Sequence, residues 1–247
     1  MQVKDKKILV VGMARSGIAA AKLLAARGAT PILNDSKEAS AFGDTLDDLK
    51  ELRCIWRLGC PAMEALDEAE GVVISPVVPD TAPFVVKARK MGLPVIGELE
   101  LAYELTAGEM VAVTGTNGKT TTVSLLGEIF KNAGKVTHVV GNIGYPYSAA
   151  AVDSRKDDVF VTEVSSFQLE TIVDFHPRAA ALLNITEDHL NRHGTMEEYT
   201  RIKMRIFENQ TAEDAAVFND DDPLSAPLAG QVKSRVLRFS RTHEVPE

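Results

Sequence analysis

The segment TGTNGKTTT, residues 114–122, constrains this chain more than any other stretch. An apolar run at 110–113 (MVAV) enters it, and a helical pattern of Val123, Leu126, Ile129 and Phe130 leaves it. Strand, glycine turn, Lys-Thr, helix is the order that wraps backbone N–H groups around phosphates. Gly115 and Gly118 let the main chain curl where a Cβ would obstruct an anion. Residues Gly115, Thr116, Asn117, Gly118, Lys119, Thr120 and Thr121 therefore form a candidate ATP-binding turn. In it Lys119 neutralises the outer phosphates and the Thr120 hydroxyl suits Mg²⁺. The full P-loop pattern has a glycine five residues before Gly118, where this chain has Val113. The blander alternative is a glycine-rich turn before an ordinary helix. It requires a buried strand, Gly-Lys-Thr and a helix to coincide by accident.

A chain of 247 residues fits two domains, and 45% hydrophobic residues are enough to bury a sizeable core. The formal net charge of -8 argues against wide nucleic-acid contact, while a local anion site needs only loop amides and a lysine. Cys54 and Cys60 are not in a CxxC spacing, so neither a disulfide nor zinc is implied and a reducing compartment fits. The opening MQVKDKKILVVG lacks a secretory apolar core, and no later run is long enough to cross a bilayer. The expectation is a cytoplasmic protein with no membrane insertion, and a monomer by default.

In the first half, residues 7–12 (KILVVG) read as a buried strand ending at GMARSG. A helix with Ile18, Ala21, Leu24 and Ala25 on one side follows, then a strand at 31–33 closed by Asn34 and Asp35. This β-α-β unit resembles the dinucleotide fingerprint GxGxxG with Ala14 at the middle glycine. Two readings stand level: a nucleotide-type ligand at the strand ends, or a scaffold whose glycines serve turn and packing. Residues 44–52 read as a helix and 71–75 (GVVIS) as a strand running into SPVVPD. A helix at 83–91, a strand at 94–96 and an acidic helix at 98–105 complete the half. Thr106-Ala107-Gly108 is the best boundary, giving domains 1–106 and 107–247.

In the second half, strands are expected at 136–140, 158–164 and 179–185, leading into GNIG, SSFQLE and TEDH respectively. A parallel sheet brings such strand ends to one side. Glu163 and His189 should thus point at whatever Lys119 and Thr120 hold. Glu163 is the better direct Mg²⁺ ligand, since Mg²⁺ prefers oxygen. His189 either serves a second metal or a phosphate, or is a helix-capping or core-satisfied imidazole. Residues 195–209 read as a helix with Thr195 as N-cap and Glu198 at capping-box spacing. Lys203 lies beside its apolar stripe of Tyr199, Ile202 and Ile206, and pattern alone makes it a snorkelling surface lysine. Strands follow at 215–218 and 236–239, and residues 219–222 between them read as a solvated acidic turn.

Together GMARSG, SPVVPD, GLPVIGELELA, TGTNGKTTT, GNIG, EVSSFQLE, NITEDHLNRHGTMEEY and IKMRIFENQ resemble, in that order, the Mur ligases. These are the ATP-dependent amide-forming enzymes of peptidoglycan precursor synthesis. The likeness is strongest to members that add D-glutamate to UDP-N-acetylmuramoyl-L-alanine through an acyl phosphate. EVSSFQLE and NITEDHLNRHG are its most specific parts; the P-loop alone does not separate these enzymes from folylpolyglutamate synthases. The family's P-loop also lacks the first glycine, which accounts for Val113.

The resemblance implies a Rossmann-like N-terminal α/β domain followed by a P-loop, mostly parallel α/β domain. It places Arg15, Ser16, Asp35, Ser36, Lys37, Ser75 and Pro76 on the UDP substrate, with Asn142 and His189 on its sugar-peptide part or metal. It assigns Lys119, Thr120 and Glu163 to ATP and Mg²⁺, and two Mg²⁺ sites to the reaction. Lys119, His189 and Lys203 become the catalytic candidates. Lys203 matches a lysine that is carbamylated in the family and then helps to hold metal, which reverses the surface reading. Val77 and Asn191 stand where the family usually has glycine and aspartate. A third, amino-acid-binding domain is expected after this sequence, so this chain alone is expected to be inactive. The rival readings are a UDP-substrate and ATP-binding module without catalysis, another Mur-type or folylpolyglutamate-synthase-like ligase, a nicotinamide oxidoreductase, and a P-loop kinase.

Overall fold

A computed structural model describes residues 1–245. The last two residues of the expected second domain, 246–247, lie outside the described residues. The first half alternates β1 Lys7–Val11, α1 Arg15–Ala26, β2 Thr30–Asp35, α2 Asp47–Lys50, β3 Ile55–Leu58, α3 Ala62–Ala65, β4 Gly71–Ile74, α4 Pro83–Lys90, β5 Val95–Gly97 and α5 Glu98–Leu105. The second half begins with β6 Glu109–Thr114, α6 Lys119–Asn132, β7 Thr137–Gly141, α7 Tyr147–Ala151 and β8 Val159–Glu163. It continues with α8 Ser166–Leu169, β9 Ala179–Leu182, α9 Leu190–His193, α10 Met196–Met204, β10 Ala215–Asn219 and β11 Arg235–Phe239. The chain packs into two compact units. One holds Met1–Thr106 with Pro146–Asp153 and Thr171–Val173; the other holds Ala107–Tyr145, Ser154–Glu170 and the chain from Asp174 onward.

The first unit is built on a five-stranded sheet in the order β3-β2-β1-β4-β5. Its pairings are parallel throughout. This is the Rossmann order, with the switch point between β1 and β4. Strand β1 is apolar along Ile8, Leu9 and Val10 because both of its faces are covered. On one face Leu9, Ile32, Val72 and Ile74 pack with Ala65, Val85 and Ala88 from α3 and α4. Each fully buried aliphatic side chain of this kind contributes about 1.5–3 kcal/mol. Helix α1 starts so close behind β1 that a Cβ on Gly17 would stand 1.8 Å from the Gly12 carbonyl oxygen. The last glycine of GMARSG is thus required by helix–strand packing.

The second unit carries a six-stranded sheet, β11-β10-β9-β6-β8-β7, again parallel in each pairing. β6 lies between β8 and β9, and Val113 sits in register with Glu163 on one side and Ala181 on the other. Gly141 of β7 is in register with Glu163 from the far side of β8. Four strand ends therefore open side by side, at the glycine turn, GNIG, SSFQLE and NITEDH.

Several local expectations change. Residues 44–52 are not one helix: a 3₁₀ segment Ala39–Leu46, broken by non-helical Gly43, precedes the single turn of α2. The helix expected at 195–209 is α-helical only to Met204 and ends in a 3₁₀ turn, Arg205–Phe207. Thr195 does cap it, accepting the Glu198 N–H at 3.2 Å, while the Glu198 carboxylate is held by Arg201 at 2.7 Å. On α6, Val123 and Gly127 face the sheet, whereas Ile129 is 53% exposed and so leaves the expected apolar stripe. Residues 219–222 are not a solvated turn. Asp222 is buried, accepting the N–H groups of Ser225 at 2.7 Å and Ile185 at 3.3 Å, and Asp220 pairs with Arg238 and His243. Among the described residues no helix is long and apolar enough to cross a membrane.

Candidate functional site

β6 delivers the chain into the glycine turn, and α6 begins at Lys119 directly after Gly118. Gly118 has φ 84°, a left-handed conformation that suits glycine. The first turn of α6 has no side-chain cap and no acidic residue. Its amides are thus left for an anion. The turn is braced from the end of β9. The Thr116 hydroxyl donates to the Thr186 carbonyl at 3.1 Å and accepts the Thr186 N–H at 3.0 Å. Asn117 N–H donates to Asn184 Oδ1 at 2.8 Å, and Asn184 Nδ2 returns a bond to the Asn117 carbonyl at 3.0 Å. Thr121 is exposed on the first turn of α6.

Two lysines meet on this turn. Lys119 Nζ folds back to the carbonyls of Gly115 at 2.9 Å and Thr116 at 2.8 Å. Lys203 Nζ, from α10, donates to the same Gly115 oxygen at 2.9 Å. Lys203 is 1% exposed, and its ammonium lies 4.6 Å over the Tyr199 ring. The snorkelling surface reading of Lys203 is therefore wrong: the side chain turns inward, across the helix onto the turn. Burial, and then the charge of Lys119, bring its pKa down to about 7, with Asp188 pulling the other way. Lys119 is lowered too, by burial, against the opposing pull of Glu163 and Asp188.

Beside the lysines stands a buried carboxylate. Glu163, 2% exposed at the end of β8, accepts the Thr120 hydroxyl on Oε2 at 2.8 Å and Asn142 Nδ2 on Oε1 at 3.0 Å. The Asn142 N–H also donates to the Glu163 carbonyl at 2.9 Å. Its direct partners are thus neutral donors, and a buried carboxylate so placed has unspent attraction for a cation. A hydroxyl and a carboxylate within hydrogen-bond distance are hard oxygen donors of the kind Mg²⁺ takes. The donor set fits that ion. His189 sits at the N-terminus of α9 with a left-handed φ of 51°, its ring 4.8 Å from Phe167 and its Nε2 3.4 Å from Asp188. It makes no side-chain cap, and its side chain is 48% exposed, so neither bland reading describes it.

The first unit gathers its own candidates at the ends of β1, β2 and β4. Asp35 Oδ2 accepts the Met13 N–H at 2.8 Å, and Oδ1 accepts the Lys37 N–H at 3.0 Å. Arg15 and Ser16 open α1, with Arg15 exposed; Ser36 and Lys37 are exposed after β2. Ser75 is buried, its N–H donating to the Val11 carbonyl at 3.0 Å, and it leads into Pro76 and a 72% exposed Val77.

Sequence reasoning missed Asn184, Thr186, Asp188 and Tyr199. Tyr199 carried a usable signal. It precedes Lys203 by one helical turn on the same face, and its hydroxyl lies 3.3 Å from Thr116 Oγ1.

Residues 113–245 match the family described as Mur ligase middle domain. The chain belongs to the Mur ligase family. Residues 6–97 match the description Mur ligase MurD-like, N-terminal domain. Similar relatives include the UDP-N-acetylmuramoylalanine--D-glutamate ligase of Alkaliphilus oremlandii, 50% identical over 243 residues, covering 98% of this chain and 54% of the relative. The protein of that name from Clostridioides difficile is 47% identical over 246 residues, 99% of this chain and 54% of the relative. The chain thus spans about half the length of the curated relatives it matches. Among solved structures, the UDP-N-acetylmuramate:L-alanyl-gamma-D-glutamyl-meso-diaminopimelate ligase from Neisseria meningitides aligns with TM-score 0.65 at 21% identity, covering 95% of this chain and 78% of that one. UDP-N-acetylmuramate-alanine ligase from Thermotoga maritima aligns with TM-score 0.58 at 21% identity, over 96% and 53%. These likenesses show a shared Mur ligase fold.

Proposed function

We propose that this chain supplies the UDP-substrate and ATP-binding parts of a ligase that joins D-glutamate to UDP-N-acetylmuramoyl-L-alanine. In this reading the first domain, 1–106, takes the UDP moiety through Arg15, Ser16, Asp35, Ser36, Lys37, Ser75 and Pro76. The second domain, from 107 onward, takes ATP on Gly115–Thr121, with Asn142 and His189 serving the sugar-peptide part. The observation that carries the reading is the meeting of Lys119 and Lys203 on one carbonyl, beside a Thr120–Glu163 pair at 2.8 Å.

The reaction needs two anions, a carboxylate and a triphosphate, to approach each other. The acceptor carboxylate oxygen attacks the γ-phosphorus, the bond to the bridging oxygen breaks, and ADP leaves an acyl phosphate. The D-glutamate amine then adds to the acyl carbon, loses a proton and expels phosphate. Lys119 swings from its own turn to the outer phosphates, and the α6 amides hold the inner ones. Thr120, Glu163 and His189 would hold Mg²⁺, which offsets charge on the transferring phosphoryl group. As an ammonium Lys203 repels such an ion. Its depressed pKa keeps much of the amine neutral near pH 7, and a neutral amine adds CO₂ and releases a proton to give a carbamate. That anion would serve a second Mg²⁺ site. The reading further takes the protein as cytoplasmic and monomeric.

The test is phosphate release in a polypeptide of the relatives' full length that contains this chain. Release must require both the UDP-muramoyl acceptor and D-glutamate. Release without amine dependence would contradict the ligase reading. On this chain alone, calorimetry should show acceptor binding without phosphate release.

A further inference from the structure

His193 is a buried titratable side chain that the proposed chemistry does not use. It ends α9, and its side chain is 1% exposed. Its ring lies between two others, with Phe167 at 5.4 Å and Tyr199 at 5.3 Å between centroids. Nε2 is 3.0 Å from the Ser166 hydroxyl. Nδ1 is 3.4 Å from Glu170 Oε1 and has no hydrogen-bond partner. Glu170 is itself held by the Arg192 guanidinium, which also lies 4.8 Å over the Phe167 ring. A carboxylate beside Nδ1 favours the proton on that nitrogen, leaving Nε2 to accept from Ser166. Burial lowers the His193 pKa, which keeps the imidazole neutral and this tautomer in place.

Ser166, His193 and Glu170 have the residue types of a hydroxyl nucleophile, base and acid. Ser166 is only 2% exposed, however, so its hydroxyl is closed to substrate. The trio is better understood by what it joins. Ser166 and Phe167 open α8, three residues beyond Glu163. Tyr199 lies one helical turn before Lys203 and under its ammonium. A single imidazole thus couples the turn behind Glu163 to the helix that carries Lys203.

We propose that His193 is a positioning residue that sets the spacing between Glu163 and Lys203, by packing between Phe167 and Tyr199 and bonding Ser166. The inference rests on the metal reading of those two residues. His193→Phe is the sharpest variant: it keeps a ring between Phe167 and Tyr199 but removes the partner of Ser166. Ser166→Ala removes the same bond from the other side.

Binding of Mn²⁺ in the presence of ATP is measured on this chain by electron paramagnetic resonance. Binding of ATP in EDTA is measured by calorimetry. For folded His193→Phe, Mn²⁺ affinity should fall about tenfold while metal-free ATP affinity changes less than about twofold, a split that general loosening would not produce. Ser166→Ala should move in the same direction by less. Amide hydrogen exchange should quicken together in 166–170 and 199–203 in His193→Phe, whether or not nucleotide is present. Unchanged Mn²⁺ affinity, or faster exchange in one segment alone, overturns the proposal. Wild-type protein with no metal-dependent ATP binding contradicts the metal reading, and the exchange experiment then decides whether His193 couples the two segments. Labelling of Ser166 by a fluorophosphonate would also overturn it, because the hydroxyl would then be an accessible nucleophile.

Discussion

The turn after β1 and the turn after β6 share a plan. Each follows a buried strand, each uses glycine, and each leads into a helix whose first turn lacks a side-chain cap and an acidic residue. Their surroundings differ. At the first turn Asp35 reaches back from β2 and takes the Met13 N–H, so a carboxylate already stands there. At the second, Lys119 and Lys203 converge on the Gly115 carbonyl with Glu163 next to them. A carboxylate favours a ligand with hydroxyls to donate, and a turn that carries the Lys119 ammonium and uncapped helix amides favours phosphates. The same backbone plan thus acquires different preferences from the side chains around it, of which Asp35 and Lys203 come from other elements.

The largest test of this contrast is Lys119→Ala. It should weaken ATP binding by about a hundredfold or more, some 3 kcal/mol, and leave UDP binding unchanged, as read by calorimetry with each ligand. Equal losses for both ligands would break the comparison. Lys203 gives the next effect, in stability. Its pKa is about 7 in the folded protein against an ordinary 10.5, so the unfolded chain holds the extra proton between those values. Stability should therefore rise with pH across that window, and the burial cost should be fully present below it. In CO₂-free buffer, wild type minus Lys203→Met should show a slope amounting to a few kcal/mol in denaturant titrations. Asp35→Ala should lower UDP affinity by about tenfold and spare ATP. The smallest effect belongs to Glu98, fully buried and raised in pKa by that burial while it accepts the Ser148 N–H at 2.7 Å. Its folded pKa lies above the unfolded one, so wild type should lose stability relative to Glu98→Gln as pH rises through the carboxylate range, by about 1 kcal/mol in thermal melts.

The long apolar strands were legible because a parallel sheet buries both faces, and β1, β4, β6 and β8 read as apolar runs rich in valine and isoleucine. β3 escaped notice because its IWRL is an edge strand, half-buried along its length, with an arginine inside it. The helical turns α3 and α7 are too short to show a period. The pairing of Thr120 with Glu163 follows from topology, since β6 and β8 are neighbours in register. The place of Lys203 does not: its acceptor is Gly115, and helix periodicity leaves it at the margin of the apolar stripe. Asp222 misled for a similar reason. An acidic run reads as solvated until the Ile185 and Ser225 amides it caps come into view. Sequence pattern conveys which face of an element is apolar, but not which polar side chain will meet a backbone group folded in from elsewhere.

The proposed function requires the Thr120–Glu163 pair and the lysine turn to form one metal-and-phosphate site. It is tested most directly by Mn²⁺ binding with and without ATP, comparing wild type with Glu163→Gln by electron paramagnetic resonance. ATP should strengthen Mn²⁺ binding in wild type, and Glu163→Gln should abolish this gain while the protein stays folded. An equal gain in the variant would contradict it.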